Sequence, residues 1–79
     1  MIFLIEYDRD RGEIVSMTSF TESERRKAEE ARLALELRLN FDEVTNEVVL
    51  LEAASEQALR QTHRRYFEDL RELTSPSAA

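Results

Sequence analysis

Few side chains in this sequence could do chemistry, and their spacing forms no catalytic pattern. His63 is the single histidine and cysteine is absent, so neither a Cys/His zinc site nor a thiolate can be built. Gly12 is the single glycine, which excludes a Gly-rich phosphate loop. We therefore expect a non-enzymatic protein without metal or cofactor. The alternative is a small enzyme with a site in a dimer groove, using His63 and a glutamate.

Carboxylates are concentrated in the predicted loops and strands. Asp8-x-Asp10-x-Gly12-Glu13 resembles part of a calcium loop but lacks the distal glutamate and a third ligand before the glycine. The predicted strand directions gather the acidic residues at one end of the sheet. There they could form a solvated rim or a docking patch for a basic protein. Divalent-cation binding there stays open. The predicted acidic patch comprises Asp8, Asp10, Glu13, Asp42, Glu43 and Glu47.

Arginines on the predicted second helix could contact phosphate groups. Arg60 and Arg64 are four residues apart and share a face, and Arg65 follows. Acidic residues are interleaved with them, in the i,i+4 pairs Arg64–Glu68 and Arg65–Asp69. The chain has a formal net charge of −6, which disfavours general nucleic-acid binding. A salt-bridged, solvated face is the favoured interpretation, and nucleic-acid contact through these arginines is an alternative.

Length and composition indicate one small domain with a thin core. The chain has 79 residues, of which 42% are hydrophobic and 35% charged, enough apolar content for folding. The absence of cysteine fits a reducing compartment, and we expect a cytoplasmic protein. The apolar run at residues 2–5 is too short for a signal peptide. Ten of the eleven basic residues are arginine and only Lys27 is lysine, which indicates a GC-rich bacterial genome. We expect a bacterial or phage protein.

Hydrophobic periodicity and capping signals predict five elements. A capping box at Thr21 and Glu24 begins the first helix, which Asn40 ends, and Ser55 caps the second helix. Gly12 suits a left-handed position in the hairpin loop. The prediction is strands at 2–7, 13–20 and 47–53, helices at about 22–39 and 56–73, and a disordered tail at 74–79.

The order ββαβα predicts an α+β fold. The first strand is the most apolar and should be central, which gives a three-stranded antiparallel sheet of order 2-1-3. A right-handed crossover is expected to place both helices on one face. Residues 1–73 then form a single domain.

Such a fold leaves more apolar surface than one copy can bury. Both faces of the first and third strands are apolar, and the first helix carries a second stripe opposite the one that faces the sheet. We expect a protein-interaction module, a homodimer that presents its acidic surface to a partner with a basic surface. The alternative is that the domain buries these residues itself, with Phe41, Val44 and the C-terminal tail as lids. The predicted interface comprises Ile2, Leu4, Leu33, Leu37, Val49 and Leu51.

Overall fold

A computed structural model of the protein describes residues 1–67. It contains β1 (Ile2–Asp8), β2 (Glu13–Phe20), α1 (Arg25–Phe41), β3 (Glu47–Glu52) and α2 (Glu56–Thr62), with 3₁₀ turns at Glu22–Glu24 and Arg64–Tyr66. The α+β fold and the antiparallel sheet of order β2-β1-β3 are confirmed. Within the described residues, no helix is long and apolar enough to cross a lipid bilayer.

The strands and the hairpin follow the predicted turn chemistry. Gly12 has a φ of 69° and donates its N–H to the Asp8 carbonyl at 2.8 Å. The register pairs Glu6 with Ser16 and Tyr7 with Ile14, so Val15 is an extra residue that forms a β-bulge in β2.

The beginning of α1 has the predicted capping box. Glu24 accepts hydrogen bonds from the backbone N–H of Thr21 at 2.9 Å and from its hydroxyl at 3.1 Å. These bonds, the backbone one first, hold the pKa of the Glu24 carboxyl below its ordinary value. The helical chain therefore begins where the sequence predicted, although its first turn is a 3₁₀ turn.

The end of α1 differs from the prediction. Asn40 does not stop the helix, which continues to Phe41, and Glu43 takes the left-handed position with a φ of 58°. The N–H of Val44 bonds to the Leu39 carbonyl, and that of Glu43 to the Asn40 carbonyl, which is the Schellman pattern. These bonds satisfy terminal carbonyls of the helix, so a residue that is neither glycine nor asparagine is tolerated at the left-handed position.

The second helix is shorter than predicted. Ser55 caps it as expected, accepting a hydrogen bond from the Ala58 N–H at 3.1 Å. The α-helix ends at Thr62, because His63 has φ −122° and ψ 52°, outside the helical region. The rest of the predicted helix to residue 73, together with the tail at 74–79, lies outside the described residues.

The placement of both helices on one face of the sheet is wrong. Phe3, Ile5 and Tyr7 of β1 form a buried cluster with Leu59 of α2 and with Tyr66. The alternate residues of β1 are also buried, and they lie on the face that α1 covers. That face is marked by the groove lined by Leu4, Ser16, Thr18, Ala31, Ala34, Leu35 and Arg38.

Burial of both faces of β1 explains its continuous apolar sequence. The crossover α1 covers one face, and α2 then packs on the other, where the larger aromatic side chains of β1 would otherwise contact water. One stripe of α1 faces the sheet: Ala28 and Leu39 are buried, and Ala31 and Leu35 are partly buried. The apolar excess of the sheet is therefore covered within one chain.

Truncation of one residue on each face tests this three-layer arrangement. We expect Leu4→Ala and Leu59→Ala each to lower the free energy of unfolding by about 2–5 kcal/mol, because each leaves a cavity under a different helix. Val15→Ala, at the exposed bulge, is the control and should cost about 1 kcal/mol or less. The measurement is urea denaturation. If both helices covered the same face, Leu4→Ala would cost no more than the control.

A charged side chain, that of Glu6, is buried in the central strand. Glu6 is almost fully buried on the α1 face, and Asn46 donates to its Oε2 at 2.7 Å. Burial of a carboxylate is costly unless hydrogen bonds replace its water. Asn46, in the loop before β3, therefore fixes that loop against β1.

Removal of the Asn46 amide tests whether the stability of the protein depends on its hydrogen bond to Glu6. We expect Asn46→Ala to lower the free energy of unfolding by about 1.5–3 kcal/mol, because Glu6 loses a charge-assisted hydrogen bond. Glu6→Gln keeps an acceptor of the same shape and should cost less. Equal urea midpoints for Asn46→Ala and the parent protein would contradict this role.

Candidate interaction surface

The outer face of α1 is apolar and exposed. Leu33, Leu37 and Phe41 have exposed fractions of 56%, 61% and 87%. At about 100° per residue they form one stripe, centred opposite the stripe of α1 that packs on the sheet. Val44 lies just beyond the end of the stripe and is also exposed.

The structure divides the six residues of the predicted interface. Leu33 and Leu37 are exposed, as an interface requires. Ile2 and Leu4 are buried under α1, so they cannot contact a partner in this fold. Val49 and Leu51 are partly buried against the core cluster on the α2 face. The sheet therefore contributes no open apolar face, because each of its faces has a helix.

Phe41 is the residue of this surface that the sequence interpretation missed. Termination of the helix at residue 39 placed Phe41 in a loop, as a lid over the core. In the structure it is the last helical residue and the most exposed large apolar side chain of the described region. The spacing of four residues from Leu33 to Leu37 to Phe41 was the available signal.

The predicted acidic residues do gather at one end of the sheet. Asp8 pairs with Glu13 across the hairpin, and Glu47 opposes Tyr7 on the other side of β1. The loop after α1 reaches the same end, since it leads into Glu47. The predicted acidic patch therefore lies beside the carboxyl end of α1, which carries a partial negative charge.

Part of this acidic end is neutralised within the chain. Asp8 accepts hydrogen bonds from the backbone N–H groups of Asp10 and Arg11, at 3.0 and 3.1 Å. The Arg11 guanidinium lies 3.9 Å from Asp8 and 3.7 Å from Glu13. Among residues 1–67, no group of three or more His, Cys, Asp or Glu side chains is arranged to hold a metal ion.

Arg65, one of the candidate phosphate contacts, is held by a network at the edge of the sheet. Its Nη2 donates to both carboxylate oxygens of Glu47, at 3.0 and 2.9 Å, and to the Tyr66 hydroxyl at 2.9 Å. Its guanidinium carbon also lies 4.5 Å from the centroid of the Tyr66 ring. The bond to the Tyr66 hydroxyl, and then the Glu47 carboxylate, raise the pKa of Arg65.

The same network attaches the 3₁₀ turn to the sheet. The Tyr7 and Tyr66 rings meet edge to face, with centroids 5.1 Å apart. The Tyr7 hydroxyl donates to the Arg65 carbonyl at 3.3 Å. Arg65 therefore serves the packing of this segment on β1 and β3.

The other candidate residues of this region also have structural contacts. Arg60 lies 4.6 Å from the centroid of the Phe67 ring and 3.5 Å from a Glu56 carboxylate oxygen. His63 is partly buried and donates its backbone N–H to the Leu59 carbonyl at 2.8 Å. The predicted partners of Arg64 and Arg65, Glu68 and Asp69, lie outside the described residues.

The edge strand β3 is protected by charge and β2 is not. Glu47 binds Arg65, and Glu52, at the other end of β3, forms an ion pair with Arg25. The Glu52 carboxylate raises the pKa of Arg25. From Ile14 to Phe20, β2 has no charged residue, and its irregularity is the bulge at Val15. Strand β2 is thus the sheet edge better suited to pairing with another strand.

Comparisons with known proteins add no relative: no family model, no curated protein and no solved structure matches this chain.

Substitution of Arg65 distinguishes a structural role from phosphate binding. We expect Arg65→Ala to lower the melting temperature, because Tyr66 and Glu47 lose their shared partner. Arg65→Lys should recover only part of the lost melting temperature, since an ammonium lacks the planar fork of donors that a guanidinium has. The measurement is circular dichroism on heating. An unchanged melting temperature with weaker, salt-sensitive oligonucleotide binding would indicate phosphate contact instead.

Proposed function

We propose that this protein is a non-enzymatic interaction module that forms a homodimer through the outer face of α1 and presents its acidic end to a protein with a basic surface. The observation that carries the proposal is the exposed stripe of Leu33, Leu37 and Phe41. It lies on a 17-residue helix whose opposite face is already packed on the sheet.

In the isolated chain, the second apolar stripe of α1 is left in contact with water. A helix on the surface of a monomer normally has one apolar stripe, and α1 has two. Burial of a leucine or phenylalanine side chain contributes about 1.5–3 kcal/mol, a gain that the isolated chain forgoes at three adjacent positions. Contiguous apolar patches mark interaction sites, and symmetric pairs of identical chains are the commonest assemblies.

The acidic end supports the second part of the proposal. The chain has a net charge of −6, and the loops at this end carry Asp10, Asp42 and Glu43, all exposed. Complementary charge increases the rate of encounter and the specificity of binding more than it increases affinity. A partner with a basic surface is therefore attracted to this end of the sheet, which adjoins the apolar stripe at Phe41.

The structure gives less support to the other candidate functions. Arg60 and Arg65 have partners within the chain that compete with phosphate groups. His63 lies at the end of α2. No contact among the described residues joins its side chain to a nucleophile or to an orienting carboxylate. The interaction module accounts for the exposed stripe, which neither alternative uses.

Charge placed on the stripe tests the proposed function. We expect the parent protein to be dimeric at high concentration, and Leu33→Glu/Leu37→Glu to be monomeric throughout, because four carboxylates would meet at the two-fold axis. The measurement is molar mass by light scattering after size exclusion, over a dilution series. Because both leucines are exposed, the variant should keep the far-ultraviolet circular dichroism of the parent.

The matched control is Val15→Glu, which adds charge at an exposed apolar residue of β2. It should remain dimeric if the pair forms through α1. A parent protein that is monomeric at every concentration contradicts the proposal, and so does a control variant that dissociates while the α1 variant does not.

A further inference from the structure

Helix α1 covers its face of the sheet unevenly. It lies mainly over β1 and β3. On this face β3 contributes Val48 and Leu50, which are partly buried, whereas β2 contributes Ser16 and Thr18, which are exposed. The space above β2 is therefore an open groove between that strand and the helix.

The groove is apolar for most of its length and has one charged side chain. Ala31 and Ala34 of α1 are small and leave room for a larger side chain, and Leu4 and Leu35 add apolar surface. Arg38 is exposed and also lines the groove, and among residues 1–67 its guanidinium forms no ion pair. The groove therefore suits an apolar side chain and a carboxylate.

The groove lies beside a strand edge that another strand can extend. From Ile14 to Phe20, β2 has no charged residue, and its outer edge pairs with no strand in the described part of the chain. An extended peptide that joins such an edge obtains main-chain hydrogen bonds, and its alternate side chains point to opposite faces of the sheet. Every second side chain of an added strand therefore points to the face where the groove lies.

The direction of the sheet sets the order of the two groups in the added strand. All pairs in the sheet are antiparallel, and antiparallel pairing is slightly more stable per residue than parallel pairing. A strand antiparallel to β2 passes Thr18 before Ser16, as β1 does. Helix α1 runs toward the same end, from Ala31 to Arg38, since it connects the end of β2 to the beginning of β3. An apolar residue opposite Thr18 then comes two positions before a carboxylate opposite Ser16.

We propose that β2 binds an extended segment of a partner protein, which pairs antiparallel with the strand and places an apolar side chain, and two residues later a carboxylate side chain, in the groove beside α1. The apolar side chain packs on Ala31 and Ala34, and the carboxylate binds the Arg38 guanidinium. The groove lies on the flank of α1 that faces β2, so this binding goes beyond the proposed homodimer and does not require it.

Charge complementarity selects the occupant. The net charge of −6 opposes an acidic partner at long range, but such repulsion is screened beyond about 8 Å, whereas Arg38 acts at contact distance. The segment therefore has one carboxylate at this level and uncharged residues along the rest of β2. A second copy of β2 does not supply it, because that strand has no carboxylate between Ile14 and Phe20.

Labelled synthetic peptides test the proposal on the full-length protein. One peptide of alternating threonine and valine carries a leucine followed two residues later by a glutamate, and its counterpart has glutamine in place of that glutamate. We expect the glutamate peptide to bind about fivefold more tightly at low salt, the upper range for an exposed ion pair. The measurement is fluorescence anisotropy during titration. Failure of both peptides to bind overturns the proposal.

Variants on α1 locate the contact. Arg38→Gln should remove the preference for the glutamate peptide, and Arg26→Gln, at an exposed arginine outside the groove, is the matched control that should keep it. Ala34→Phe fills the groove from an exposed helix position and should weaken both peptides at least tenfold, with unchanged circular dichroism. The same preference in Arg38→Gln and in the control overturns the contact with Arg38.

Backbone methylation distinguishes strand pairing from binding in the groove alone. In an antiparallel pair, alternate residues of one strand direct their N–H groups to the other strand. Of two glutamate peptides that are N-methylated at opposite alternations, one should bind like the parent peptide and the other should not bind. Equal binding of both overturns strand addition. Dissociation of the protein's own dimer by the parent peptide would assign β2 to a second copy and overturn the partner.

Discussion

The rest of this structure depends on one constraint: the central strand β1 is apolar on both faces. Ile2 and Leu4 point one way, and Phe3, Ile5 and Tyr7 the other, and all five are buried. A sheet with such a strand at its centre needs a cover on each side. The crossover α1 supplies one cover, and α2 with the following 3₁₀ turn supplies the other. A thin three-layer domain follows from a strand of seven residues.

Because each helix covers a different face of the sheet, the outer face of α1 is an apolar surface that no described residue covers. A helix that alone covers one face of the sheet lies at the outside of the molecule, so α2 cannot shield it from behind. Leu33, Leu37 and Phe41 therefore remain exposed. The Arg65–Glu47 contact fixes the edge strand β3, and the Glu6–Asn46 bond fixes the loop before β3 against the central strand. The proposed homodimer derives from this one face.

Much of the local structure could be predicted because its causes are local. The hairpin, the capping box at Thr21 and the Ser55 cap depend on residues within a few positions of one another. The end of α1 could not be predicted in the same way. Glu43 is an uncommon residue for a left-handed position, and the Schellman bonds that hold it there are not encoded by residue type. Two residues of helix were therefore missed, and Phe41 with them.

The sequence by itself determined the strand order and the two apolar stripes of α1, because periodicity and strand apolarity are properties of the chain. It also determined that the acidic residues share one end, since that follows from strand direction. Only the tertiary structure decided which apolar face remains open. A pattern shows that a residue prefers burial, but it does not name the element that buries it. Burial under α1 removed Ile2 and Leu4 from the predicted interface, and the position of α2 removed Val49 and Leu51, which left Leu33 and Leu37 in it.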